Sequence, residues 1–452
     1  MSHEAGLLLF ALLAIIALVV LIGKFKLHPF LGLMLVSVAI GLHSGMKLPL
    51  IAKTFQEGVG NTLGFLGVVV GLGMMLGKML SESGGAHVIA QNFIRLLGQR
   101  RLPWAMLGVA FVVGVPVLFS VGLILLVPIV YAVAHETKTP LLRVAIPLVA
   151  GLSVSQGFLP PHPGPMLAIE QIGADVGKTL LYGALIGIPT AIVAGPIFTS
   201  LVIKERRVEN KKSDGTLDLG APASSRLAAN QLPGFGLTLL TILLPVLLML
   251  LSSLGDLCLS KDNRLREWAN FIGSPAIAML LAVLLSMYSF GFWREFGAKQ
   301  ILKFLEESLG PAAAILLIVG AGGGLSKMLE RGGVGGSIAH LVEHAQVSPL
   351  LLGWLVAASI RVAVGSATVA ITMASAIMAP VAANTPGINR ELLVLAMGAG
   401  SLFLSHVNDG GFWLVKESLN LTVPQTLKTW TVLETCIGLV GLVLVLLLAQ
   451  FV

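Results

Sequence analysis

The chain has 452 residues, of which 56% are hydrophobic and 11% charged, with a mean hydropathy of +0.93 and a formal charge of +7. A soluble domain carries about a quarter of its residues charged to cover its surface, so composition excludes a soluble globular fold and leaves lipid as the solvent. The basic excess fits Lys and Arg held on the cytoplasmic side of a membrane rather than a nucleic-acid partner, and the two cysteines, Cys258 and Cys436, give neither a disulfide framework nor a metal spacing.

The first apolar run, Gly6 to Gly23, is long enough nearly to cross the hydrocarbon. Glu4 precedes it and Lys24 and Lys26 follow, the reverse of a cleaved signal peptide, so a retained first helix with its N-terminus outside is expected. Further runs fall at 29–46, 62–77, 104–134, 141–158, 179–203, 236–255, 273–292, 311–326, 349–360, 364–382, 391–405 and 430–452. Glycine and proline interrupt several of them, which gives about ten to fourteen crossings. The most polar stretch, residues 204–232, carries Lys204, Arg206, Arg207, Lys211, Lys212 and Arg226 and reads as a cytoplasmic loop. It divides the chain into an N-terminal half, 1–203, and a C-terminal half, 233–452.

The halves resemble each other. Gly71-Leu-Gly-Met-Met-Leu-Gly-Lys-Met-Leu80 aligns with Gly320-Ala-Gly-Gly-Gly-Leu-Ser-Lys-Met-Leu329. Phe55 and Glu57 match Phe304 and Glu306 at the same offset. Gly157-Phe-Leu-Pro-Pro-His-Pro-Gly-Pro165 falls opposite Leu402-Phe-Leu-Ser-His-Val-Asn-Asp-Gly410, and Asp175-Val-Gly-Lys-Thr-Leu180 opposite Thr422-Val-Pro-Gln-Thr-Leu427. Four matches in order place repeats at about 50–203 and 300–452, the signature of a secondary transporter. Arg95, Arg100 and Arg101 follow the first Lys-Met-Leu, whereas His340, Glu343 and His344 follow the second, with no Lys or Arg between Arg331 and Arg361. That charge asymmetry suggests opposite sides and hence inverted repeats.

Irregular backbone inside an apolar run must line protein or water. Pro160-Pro-His-Pro-Gly-Pro165 cannot stay helical, because its prolines lack amide donors. Its partner Ser405-His-Val-Asn-Asp-Gly-Gly411 interrupts the second half. Paired interruptions point to a substrate site near the midplane, where freed amides at half-helix starts suit an anion; an extramembrane turn is the plainer reading. Phe119-Ser-Val-Gly122 and Val364-Gly-Ser-Ala-Thr368 are either tips of re-entrant hairpins or plain helix contacts. The candidate substrate-binding residues are therefore Ser120, Gly122, Pro161, His162, Gly164, Gly365, Ser366, Thr368, Asn408 and Asp409.

Ionisable residues within the membrane are costly and usually functional. Asp409, His162 and His406 are the candidates for proton coupling, a structural hydrogen bond being the alternative for each histidine. Arg361 either grips a substrate carboxylate, snorkels, or pairs with an acid such as Asp409. Asn408 donates to a hydroxyl, ligates a cation or caps a helix. Gly322-Gly-Gly324 lacks the Gly-Lys-[Ser/Thr] of a phosphate loop and reads as close helix packing. No Walker, His-Glu-x-x-His or Gly-x-Ser-x-Gly motif is present, so no enzyme, cofactor or metal is expected.

At Gly157-Phe-Leu-Pro-Pro-His-Pro-Gly-Pro165, Gly177-Lys-Thr-Leu-Leu-Tyr-Gly183, Gly365-Ser-Ala-Thr-Val369 and Ser405-His-Val-Asn-Asp-Gly-Gly-Phe-Trp413 the chain resembles the gluconate permease (GntP) family of proton symporters, over nearly its whole length. The resemblance implies uptake of a sugar acid (an aldonate) with a proton across a bacterial inner membrane. It also implies kinship with the ion-transporter superfamily: a homodimer of all-α, polytopic subunits with inverted repeats, re-entrant hairpins, interrupted helices and elevator-like movement. The chain departs from the family at Ser120, where members usually carry an acid. Related members take other hydroxy acids and D-serine. Sodium coupling or anion exchange remains the alternative within transport, and a passive anion channel the alternative outside it.

Overall fold

The computed structural model describes residues 3–202, 232–260, 262–333, 348–407 and 409–452. Asn408, His340, Glu343, His344 and nearly all of the polar stretch 204–232 lie outside the described residues. Helices and turns make up the described chain, with no strand.

The N-terminal half opens with α1 (His3–Gly23) and α2 (Pro29–His43), followed by a long helix, α3 (Leu48–Glu82), and a short one, α4 (Gly85–Leu97). Two helices joined by a tight break come next, α5 (Leu102–Gly114) and α6 (Phe119–Glu136). The interrupted pair α7 (Leu141–Phe158) and α8 (Pro163–Ile172) precedes α9 (Val176–Ile192), which widens at Val193–Ile197 and ends as α10 (Phe198–Val202).

The C-terminal half begins with α11 (Phe235–Cys258), α12 (Arg264–Gly273) and α13 (Pro275–Ser286). The earlier order of elements then recurs. A long helix, α14 (Ala298–Arg331), is followed by a tight pair, α15 (Pro349–Val364) and α16 (Ala367–Asn384). A second interrupted pair, α17 (Arg390–Leu402) and α18 (Gly410–Ser418), leads to α19 (Val423–Thr426), which widens at Leu427–Thr431 and runs on as α20 (Val432–Leu448).

Eight helical stretches among the described residues are long and apolar enough to span a membrane. The apolar runs outnumber them for a geometric reason. The run at 104–134 is broken at Pro116, and its first part, α5, has 13 residues. At about 1.5 Å per residue such a helix covers about 20 Å, short of the roughly 30 Å hydrocarbon core. The 16-residue α15 is short for the same reason and ends at Gly365, whose φ of 86° lies in the left-handed region. Leu240, Leu247, Leu251 and Leu254 form an exposed apolar stripe along α11, and Leu439, Val443 and Leu447 another along α20. In water such stripes would be liabilities; against lipid tails they are the expected surface.

Between helices in lipid there is no hydrophobic drive, so close packing by small residues carries the association. The seam between α3 and α14 illustrates it. A Cβ on Gly58 would collide with the Gly323 carbonyl, and one on Gly324 would sit 2.5 Å from the Phe55 ring. The Gly322–Gly324 run is thus a packing surface. Lys78 Nζ lies 3.0 Å from Glu307 at one end of the seam, and Arg331 Nη2 lies 2.8 Å from Glu57 at the other. Low numbers meeting high ones in this way fix the two helices as antiparallel.

Candidate functional site

Each break in the helices has a local cause and a built end. Pro160 and Pro161 end α7, and the chain restarts with Pro163 in the first turn of α8, where a missing N–H costs nothing. The whole stretch 160–165 is buried, so it is not a solvent-exposed turn. His162, 3% exposed, places Nε2 2.7 Å from the Gly114 carbonyl oxygen at the end of α5. That contact ties the first interruption to the first hairpin.

The tip of this hairpin is held by a side chain absent from the sequence-derived set. Gln156, on the last turn of α7, accepts a hydrogen bond from the Phe119 N–H at 2.8 Å through Oε1. In the second hairpin Ser366 caps α16, its Oγ accepting from the Val369 N–H at 3.3 Å.

These ends converge. A small cavity is lined by Leu118 at the start of α6, Gly157, Pro163 to Pro165 at the start of α8, and Ala367 and Thr368 at the start of α16, with Gln156 and Ser401 adding polar side chains. Three helix N-termini thus face one space. First-turn amides have no partner within their own helix and carry partial positive charge. Because Pro163 and Pro165 lack an N–H, Gly164 is the amide donor in the first three residues of α8. A Cβ there would approach Ile371 to 2.8 Å, so only glycine leaves both the amide and the space free. A second small cavity is lined by Pro161, His162 and Pro163 with Val69, Gly73, Val115 and Pro116. It is more apolar.

The charged residues form a separate cluster. Arg361, 2% exposed, directs Nη2 to Asp409 Oδ2 at 2.5 Å and Nη1 to the Gly365 carbonyl. Asp409 also accepts from Ser405 Oγ, and from the Gly411 N–H at 2.8 Å as the cap of α18. Ser405 Oγ accepts from Trp430 Nε1 at 2.7 Å, and the Trp430 ring packs 5.2 Å from that of Phe119. His406 sets Nε2 3.0 Å from the Val362 carbonyl oxygen. Arg361 therefore pairs with an acid, and the pair fixes the second hairpin tip to the second interruption.

Among the sequence-derived residues, the structure brings Gly164 and Thr368 onto the first cavity and Pro161 and His162 onto the second. Gly365, Ser366, Asp409, Arg361 and His406 line neither of these cavities and instead bond within the second tip and its interruption. Ser120 is exposed on the first turn of α6, and Gly122 is buried against Leu152. Gln156 and Ser401 were missed, as were Ser153 and Glu434. Glu434 is 1% exposed and accepts from Ser153 Oγ at 2.5 Å. A lone acid in a terminal apolar run was a signal for it.

Known proteins agree with this architecture. The chain is 51% identical over 449 residues to a gluconate permease of Pseudomonas aeruginosa, covering 99% of each. It is 46% identical over 444 residues to a gluconate permease of Zymomonas mobilis, covering 98% of each. Its fold is similar to that of Neisseria gonorrhoeae MtrF, a protein of a class of antimetabolite efflux pumps, with a TM-score of 0.68 and 16% identity over 94% of this chain and 96% of that one. Residues 6–452 match the family described as GntP family permease. The chain is a multi-pass membrane transporter rather than an enzyme, and it belongs to the GntP permease family.

Proposed function

We propose that this permease imports gluconate or a similar sugar acid by proton symport across a bacterial inner membrane, through elevator-type alternating access. The observation that carries the reading is the convergence of three helix starts on one cavity. A buried carboxylate without donors costs several kcal/mol. The amides of Gly164, Ala367 and Thr368 offer donors fixed in place, and the side chains of Gln156, Thr368 and Ser401 offer partners for hydroxyls. The names of the relatives supply the substrate class. Ser120 and Asn408 stay in this proposal as further polar partners for the substrate.

Inverted repeats are supported by the seam. The sequence segments 71–80 and 320–329 align with each other, yet they lie on helices that run antiparallel. Elevator movement is supported by the two tight pairs, α5–α6 and α15–α16, each tied to an interruption by buried hydrogen bonds, so that tips and interruptions can move as one body. The homodimer is proposed on family resemblance.

Uptake of labelled gluconate into proteoliposomes tests the reading. Accumulation above equilibrium only under an inward proton gradient is the expected result. Accumulation that needs sodium and ignores pH removes proton coupling, and bare equilibration removes the symporter in favour of a channel.

A further inference from the structure

Glu434 is the most buried carboxylate among the described residues. It is 1% exposed on α20 and accepts a 2.5 Å hydrogen bond from Ser153 Oγ, 281 positions earlier. Asp409 differs in every respect that matters to a proton. It accepts from a guanidinium, a hydroxyl and a backbone N–H, so its oxygens are already engaged by three donors. Arg361 is already neutralised by Asp409, so an ionised Glu434 leaves its neighbourhood with one uncompensated negative charge in a low-dielectric interior.

The position of this charge gives it a use. Ser153 lies three and four residues before Gln156 and Gly157, on the same face of α7 and one helical turn from the cavity. Glu434 lies four residues after Trp430, whose indole closes the Arg361–Asp409–Ser405 network. The charges of Arg361 and Asp409 reach it. The other ionisable groups on the elements packed around it are Arg143 on α7, Lys178 and Tyr182 on α9, Arg390 and Glu391 on α17 and Lys428 beside Trp430. Arg143, Lys178, Arg390 and Lys428 are exposed, and Tyr182 and Glu391 are half-exposed, as is Cys436 on α20 itself.

We propose that Glu434 is the proton-carrying carboxyl of the transport cycle. The inference rests on the proton-symport reading above and assigns its coupling site. An anion entering the cavity repels an ionised Glu434, which is bonded to Ser153 one helical turn behind the cavity lining, and favours its protonated form. Reciprocally, a protonated Glu434 admits the anion, since the coupling between two sites is symmetric. The proton binds the carboxylate oxygen facing Ser153 from one side of the membrane and leaves to the other after the anion does. Like-charge repulsion across such a gap in a protein interior corresponds to about tenfold or more in anion affinity.

The test uses the full-length transporter in proteoliposomes with labelled gluconate. Wild type that accumulates gluconate without regard to the proton gradient overturns the symport reading, and this inference with it. Given proton-driven accumulation in wild type, Glu434→Gln is expected to lose it while keeping gluconate–gluconate counterflow. Its gluconate affinity should be constant between pH 5 and 8, where that of wild type weakens about tenfold. Wild-type accumulation and a wild-type pH profile in Glu434→Gln overturn the assignment and leave symport standing. If Glu434→Gln loses both modes, Ser153→Ala decides. Removing the hydroxyl that favours the ionised carboxylate should move the transport profile toward alkaline pH by about one unit; an unmoved profile overturns the assignment.

Discussion

Arg361 and Asp409, 48 residues apart, meet at 2.5 Å in a part of the protein where neither sees solvent freely. A buried pair of this kind is costly to break from one side, because the surviving charge has no replacement for water. Asp409→Asn should therefore abolish uptake and also lower stability, by about 3–5 kcal/mol. Thermal unfolding in detergent checks the second effect and gluconate uptake the first. Combining Arg361→Met with Asp409→Asn should recover most of the stability without restoring transport.

Gly164 contributes an amide and an absence of side chain to the cavity. A methyl group there would lie 2.8 Å from Ile371 Cγ2, the branch methyl of a buried, rotamerically stiff side chain, so Gly164→Ala forces that side chain to shift. We expect its KM for gluconate to rise about tenfold, equivalent to ~1.4 kcal/mol, together with a loss of about 1–3 kcal/mol in stability from the overpacking. Initial-rate uptake over a range of gluconate concentrations measures it.

Gln156 holds the Phe119 N–H at the first hairpin tip. Gln156→Leu keeps the volume but leaves that amide without its acceptor, at a cost of about 1–3 kcal/mol. The prediction is a tenfold or larger fall in kcat/KM, with Gln156→Glu retaining the acceptor and more of the tip geometry. The Glu variant should nevertheless transport poorly, because it adds negative charge beside an anion site.

Within α3, Gly58 and Gly60 separate packing from propensity. A Cβ on Gly58 would strike the Gly323 backbone, whereas one on Gly60 meets nothing within 4 Å. Gly58→Ala should leave little folded protein in size-exclusion chromatography. Gly60→Ala should be neutral, or stabilising by up to about 1 kcal/mol from helix propensity.

Ser120 sits exposed in the first turn of α6, where an acid is favoured by the helix dipole. Ser120→Glu should therefore fold, and a changed pH profile of uptake is expected if this position tunes coupling. An unchanged profile restricts the position to structure.

Membrane residence, the all-helical class and the two interruptions were legible in the sequence because they rest on composition and on proline, whose effects are local. The Pro160–Pro165 stretch declared itself through missing amides. Gln156 did not, since its importance comes from Phe119, 37 residues away, and no local pattern encodes that contact. Asp409 and Arg361 were visible as misplaced charges, but distinguishing an ion pair from a substrate clamp needed their mutual geometry. Glu434 stands three residues into the last helix, where an acid reads as an interfacial residue. Only the continuation of that helix back through Leu427–Thr431 to Val423 carries it inside.

The head-to-tail arrangement of α3 and α14 has a consequence for the half of the cycle not seen here. When two kindred halves point opposite ways, each supplies the template for the other's alternative shape. Under the inverted-repeat reading proposed above, exchanging the conformations of the described parts of residues 50–203 and 300–452 would give the opposite-facing state. The distances it prescribes between cysteine pairs can be measured by spin labelling before any second structure exists.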